Sequence, residues 1–233
     1  YVDKVDTCIV TVDTATGKNL IVWDKETGLN LNYYKIYKQS HTGSFNFLTA
    51  VHYDSLSLCL DGTSYPETKA DRYLVTAVDT CGNESEAGDF HKTLHLNVSP
   101  STQGNGYALT WDHYWGFDFN TYRIYRGTSK NNLSVIDSIP FNISTYTYTD
   151  NTASQDTGYY YQVAAVRPGG ACFASKASSG PFSQSLSNLE DNGIISGEDQ
   201  SHDASLKDLI VNGSTISGFS PTVVYYTYYL DTT

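Results

Sequence analysis

Apolar residues recur along the chain with a period of two. β-Branched and aromatic runs alternate with clusters of Gly, Asn, Asp and Ser, with turn signals about every 8–12 residues. In the first 95 residues this pattern predicts strands at 9–12, 20–23, 33–37, 45–51, 56–60, 73–78 and 93–98. No stretch carries a helical period, so the expected class is all-β, a sandwich of two sheets. Alternation also assigns faces. Ile21 and Trp23 share one face, as do Leu109 and Trp111, so each supplies an inward tryptophan. Leu56, Leu58 and Leu60 have the opposite parity to Cys59, which predicts that Cys59 points away from the core.

The pattern repeats at an offset of 88 residues. Trp23-Asp24 returns as Trp111-Asp112, Gly28 as Gly116, Tyr34-Lys35-Ile36-Tyr37 as Tyr122-Arg123-Ile124-Tyr125, and the Tyr73, Val75, Ala77, Val78 set as Tyr161, Val163, Ala165, Val166. The alignment runs without a gap from Trp to Val, which predicts one sandwich over 1–95 and a second over 96–187. Beyond that point Ser, Asn, Asp and Glu dominate. Residues 188–233 are expected to hold an acidic linker and the first strands of a further β-sandwich.

Composition narrows the function classes. The 233 residues carry 14 basic and 25 acidic side chains, a net charge of −11 that repels a phosphate backbone and argues against nucleic-acid binding. By segment the net charge is −5 over 1–95, zero over 96–187 and −6 over 188–233. No run approaches the ~18 apolar residues of a membrane span, so no membrane insertion is expected. With no Met and Tyr1 at its start, the sequence is expected to be a fragment or a processed chain.

Trp23, the Tyr-x-Ile-Tyr of 34–37 and the Tyr-x-Val-x-Ala-Val of 73–78, each present twice, resemble the fibronectin type III domain, with Tyr73 and Tyr161 in its tyrosine-corner position. The wording around Cys8-Ile-Val-Thr-Val-Asp and Ala77-Val-Asp-Thr-Cys-Gly-Asn-Glu-Ser is similar to tandem modules of large secreted or surface proteins of the Bacteroidetes group. Residues 205–230 resemble the opening strands of a cadherin-like sandwich. The first resemblance places Cys8 near the start of the first strand and Cys81 in the loop after the sixth, at one pole of the first domain. A Cys8–Cys81 disulfide is therefore expected, with Cys59 and Cys172 as unpaired thiols and a bridge between those two as the lesser alternative.

Candidate chemistry is sparse. His91 and His95 fall on a strand, where positions four apart lie about 13 Å from each other, and read as two exposed histidines rather than a metal pair. Glu190-Asp191, Glu198-Asp199 and Asp203 read as a solvated linker, with calcium as the alternative. The sequons at Asn83, Asn97, Asn132, Asn142 and Asn212 carry weight only in a eukaryotic secretory pathway. Tyr114, Trp115, Phe117 and Phe119 replace Glu26, Thr27, Leu29 and Leu31 of the first copy. They are either an inter-domain contact or core, or a platform that stacks on sugar rings.

The expected function is a non-catalytic spacer, adhesion or interaction module of a secreted or cell-surface bacterial protein, without cofactor or metal. Its expected partners are flanking domains of the same polypeptide, another surface protein or a glycan. The alternative is an ancillary carbohydrate-binding module of a polysaccharide-degrading enzyme, separated from the first reading by whether Trp115 is exposed.

Overall fold

A computed structural model describes residues 2–25, 30–102, 104–144, 146–172, 174, 182–194, 210–211 and 214–215. Among them every regular element is a strand and every pairing is antiparallel. The first sandwich comprises β1 (Thr7–Val12), β2 (Asn19–Trp23), β3 (Leu31–Gln39), β4 (Phe45–His52), β5 (Leu58–Asp61), β6 (Arg72–Asp79) and β7 (His91–Lys92), in sheets ordered β1-β2-β5 and β4-β3-β6-β7. The second comprises β8 (Leu96–Pro100), β9 (Tyr107–Trp111), β10 (Thr121–Ser129), β11 (Asn132–Pro140), β12 (Thr147–Asp150), β13 (Tyr160–Val166), β14 (Gln184–Leu186) and β15 (Glu190–Asp191). Its sheets are β12-β9-β8 and β11-β10-β13-β14, with β15 also on β13. A separate unit, Ser196–Thr233, shows a hairpin of β16 (Ile210–Val211) and β17 (Ser214–Thr215). Most of the stretch read as a cadherin-like start, and Glu198, Asp199 and Asp203, lie outside the described residues.

The expected strand at 93–98 is two strands in different sheets. β7 ends at Lys92 and β8 starts at Leu96, so only three residues join the sandwiches. Leu94 and Leu96 are both fully buried, and the alternation therefore runs unbroken through the point where the chain changes sheets. Residues 188–192, read as linker, belong to the second sandwich. Asn188 accepts from Leu96 N–H at 2.7 Å and donates to Leu96 C=O at 3.0 Å, while Asn192 accepts from Tyr159 N–H at 3.0 Å. Truncation after Ser187 is accordingly expected to destabilise the protein by about 2 kcal/mol, since buried backbone groups lose their partners. Denaturant midpoints of the chains ending at 187 and 194 would test this; equal midpoints would refute it.

Both sandwiches build the same buried framework. Trp23 packs on Tyr34 and Trp111 on Tyr122, each with ring centroids 5.3 Å apart. Behind them sits a repeated polar cluster. Lys38 pairs with Asp61 at 2.9 Å, Tyr73 O–H donates to Asp61 at 2.7 Å, and Thr63 donates to it through N–H and O–H. In the second copy Arg126 pairs with Asp150 at 2.6 Å, Tyr161 donates at 3.0 Å and Thr152 donates twice. Burial alone would raise the carboxyl pKa values of Asp61 and Asp150, but these donors hold both below the usual range. The two aspartates are offset by 89 residues, not 88, so the repeat contains a compensated one-residue shift that the aromatic landmarks conceal.

The two sheet pairs are not independent. One apolar core runs from Val2, Val5, Trp23 and Tyr34 through Leu94 and Leu96 to Trp111, Tyr114 and Tyr122. Every residue of β1 and β2 is buried, whereas β8 and β9 alternate between buried and open positions. The outer face of the β1-β2-β5 sheet is covered by Cys172, Ala174 and Phe182 from the β13–β14 connection, which pack on Cys8, Ile9, Leu20 and Val22. The edges meet as well: Ser185 O–H donates to Val10 C=O at 2.6 Å and Leu186 N–H to Thr11 Oγ1 at 2.8 Å.

This cover reverses the expected orientation of β5. Cys59 stands opposite Ile21 in register, is 7% exposed and lies in the core, while Leu58 and Leu60 share the outer face. The leucine parity is genuine, but it marks the outside, which is covered at Leu56 and Leu58 and open at Leu60.

Candidate functional site at the junction

The disulfide joins Cys8 to Cys172, with Cα atoms 6.0 Å apart; Cys81 is a free, exposed thiol. The expected Cys8–Cys81 pairing is thereby corrected, as is the expectation that Cys172 is unpaired. The reason is local. The register slips between Thr7 and Ile9, and Cys8 and Ile9 consecutively face the outer surface of the sheet. That surface is where Cys172, Ala174 and Phe182 arrive, with the Cys172 and Phe182 backbones paired at 2.9 Å. Cys81, by contrast, is tied into a turn in which its N–H donates to Asp79 Oδ1 at 2.9 Å. Cys59 is the other free cysteine, its thiol pKa pushed up to about 11 by burial.

The aromatic loop after β9 divides by side. Its backbone pairs with β7, Lys92 N–H donating to Trp115 C=O at 2.8 Å and Trp115 N–H returning to Lys92 C=O at 3.3 Å. The extended conformation sends successive side chains to opposite faces. Tyr114 turns inward, 3% exposed, with its hydroxyl 2.9 Å from His91 Nδ1. Phe117 stacks against Tyr114 at 4.4 Å, and Phe119 sits 4.5 Å from Phe141 and 4.9 Å from Tyr122. Trp115 turns outward and is 51% exposed. Gly116 between them has φ +152°, and a Cβ there would overlap the His91 ring, so the glycine is what lets the loop close on β7.

Neither histidine of the 91/95 pair is an exposed strand residue. His91 is 6% exposed at the junction, and the His95 side chain is 15% exposed, with Nε2 3.3 Å from Glu67 C=O. Burial pushes the His91 pKa down to about 4, opposed by Asp89 and assisted by Arg167. Glu190 moves the other way, up to about 7, through burial and then the neighbouring Asp191 charge. A depressed histidine contributes stability that is complete above 6.5 and lost as pH falls through about 4. A raised glutamate contributes stability that is complete below 4.5 and lost as pH rises through about 7. The two slopes oppose each other over the shared window. Glu190→Gln is expected to unmask the His91 slope, so that the variant gains stability relative to wild type as pH rises between 4.5 and 7. Parallel melting curves of the two proteins across that window would exclude it.

Trp115 flanks a groove of about 410 Å³ between the sandwiches, whose floor is Trp111 and whose walls are Lys92, His95, Asn97, Thr110, Asp112, His113 and Tyr146. Lys92 and Asp112 form an ion pair at 2.9 Å, leaving the groove without an unbalanced charge from these two. His113 is fixed: Nε2 donates to Ile143 C=O at 2.8 Å, so Nδ1 accepts from Tyr122 O–H at 2.9 Å. Tyr146 is 49% exposed on the far wall. Among the described residues no group of three or more His, Cys, Asp or Glu could hold a metal ion. The sequence reading picks out Trp115 but not Tyr146, Asp112 or His113.

The strand order of each sheet pair, three strands facing four or more, defines the fold. Each sheet pair is an all-antiparallel β-sandwich. No protein-family model matches the chain and no curated protein matches it. Solved structures similar to it include chicken CNTN1 FN1–FN3 domains (13% identity, 81% of this chain and 66% of that one, TM-score 0.31). A two-domain fibronectin type III segment from chicken tenascin is 12% identical over 82% of this chain and 97% of that one, with a TM-score of 0.29. Chicken interferon gamma receptor alpha chain is 10% identical over 82% and 98%, with a TM-score of 0.30.

Proposed function

We propose that the chain is a non-catalytic interaction and spacer module of a secreted or cell-surface bacterial protein, in which two sandwiches act as one rigid presenting body. The observation that supports this most is the Cys8–Cys172 bridge, which fastens the second sandwich over the outer face of the first. A structural disulfide of this kind persists in oxidising compartments. The strongly displaced titratable groups also fit a framework role. Tyr73 and Tyr161 have pKa values driven far up by burial and by the aspartates they bond, and they sit inside the two polar clusters rather than in an open cleft. Flanking domains of the same polypeptide are natural neighbours for such a body.

Peptide mapping of non-reduced protein exported through an oxidising compartment tests the reading. The peptides of Cys8 and Cys172 should be recovered linked, and Cys81 should be alkylated without reduction. Free Cys8 and Cys172 in the exported protein would remove the basis for a rigid pair.

A further inference from the structure

We propose that the junction groove binds a neutral saccharide, with Trp115 as the stacking platform and Tyr146 as the opposing wall. The inference deepens the interaction-module reading and rests on it. Three observations carry it. First, Trp115 and Tyr146 are the two exposed aromatics of one concavity, at 51% and 49%, while Tyr114 is buried and Phe117 and Phe119 are packed in the core around it. Interface packing therefore accounts for three members of the aromatic loop and leaves Trp115 unexplained. Second, uncommitted polar groups lie beside the platform. Asn97 and Thr110 are register partners across β8 and β9, line the groove, and have no side-chain hydrogen-bond partner among the described residues. They offer an amide and a hydroxyl to sugar hydroxyls. Asp112 adds an acceptor: Oδ1 is held by Lys92, while Oδ2 has only His95 Nδ1 at 3.8 Å, beyond hydrogen-bond length. Third, the charges within the groove are paired and the chain carries −11 overall, which disfavours an anionic glycan and suits a neutral one. At about 410 Å³ the space is of small-ligand size, with apolar rings for a pyranose face and polar groups for its rim.

The framework of the site is rigid. Trp111 forms the floor from β9, His113 is locked by two hydrogen bonds, and Trp115 is held through its own backbone to β7. A ligand would meet a preformed surface and little ordering would be needed on binding.

The test is native affinity electrophoresis of the whole chain in gels containing β-glucan, hydroxyethyl cellulose, xylan, galactomannan or glycogen, with alginate as the anionic control. At least one neutral polymer is expected to retard the protein. Trp115→Ala should weaken that retardation about tenfold or more, and Asn97→Ala several-fold. Melting temperatures should remain unchanged in both variants, because both side chains are exposed. Tryptophan emission should shift on adding the matching oligosaccharide to wild type and not to Trp115→Ala. Absence of retardation by every neutral polymer, retardation by alginate alone, or equal retardation of the Trp115 variant would each overturn the proposal. Peptide mapping of the bridge separates this from the broader reading: an intact Cys8–Cys172 link with no glycan retention leaves the interaction module standing without this ligand.

Discussion

Cys172→Ala is expected to lower the free energy of unfolding by several kcal/mol. The bridge spans a sequence separation of 164 residues, and in the chain-entropy account a loop of that length corresponds to about 5 kcal/mol of constraint on the unfolded chain. The native state loses something too. Without the bridge the β13–β14 arm is retained over the β1-β2-β5 sheet by Ala174, Phe182 and the hydrogen bonds of Ser185 and Leu186, and Ile9, Leu20 and Val22 become intermittently exposed. Guanidinium unfolding of wild type and variant should give a clearly lower midpoint, with increased dye binding to apolar surface before the transition. A midpoint equal to that of oxidised wild type would mean that the bridge does not constrain the protein in solution.

Trp111→Ala is expected to cost about 3–5 kcal/mol, the usual range for removing a buried large aromatic. Trp111 is 4% exposed, packs against Tyr122 and belongs to the core that continues into the first sandwich. Two self-contained domains would respond by losing the second and leaving the first at its original temperature. The shared core and the bridge predict otherwise: one transition, displaced downward as a whole by about 10 °C or more. Calorimetry decides, since a transition remaining at the wild-type temperature beside a lowered one would show that the two sandwiches unfold independently.

Much of this architecture is legible in the residues. The Trp-to-Tyr repeat, the period-two runs and the inward tryptophans all correspond to features of the sheets, because each is a local consequence of one buried face per strand. What was not legible depends on the two sandwiches touching. β1 and β2 read as near-continuous apolar runs, Ile9-Val10-Thr11-Val12 and Leu20-Ile21-Val22-Trp23, where Leu96-Asn97-Val98-Ser99 of the second copy alternates. A strand covered on both sides loses its alternation, so the asymmetry between the copies was the available signal for the contact. The bulge at Cys8 leaves no trace in composition, and without it the disulfide partner cannot be derived. The division of the aromatic loop into packed and exposed side chains follows from its backbone pairing with β7, which spacing along the chain does not encode. Asp112 and His113 reach the groove from the same segment as Trp111 and Trp115, whereas Tyr146 arrives from the residue before β12, a convergence that spacing along the chain does not encode either.

The position of the bridge also bears on how the protein would carry a mechanical load. Cys8 and Cys172 enclose nearly all the strands of both sandwiches, yet their Cα atoms are 6.0 Å apart. A force applied along the polypeptide passes from Cys8 to Cys172 through the sulfur atoms and bypasses the segment between them, a sequence separation of 164. Fully extended, that segment would add about 550 Å of contour length. While the bridge is oxidised this length is unavailable, and the sandwiches can be pulled on without being drawn out; reduction would convert a short inextensible tether into a long compliant one.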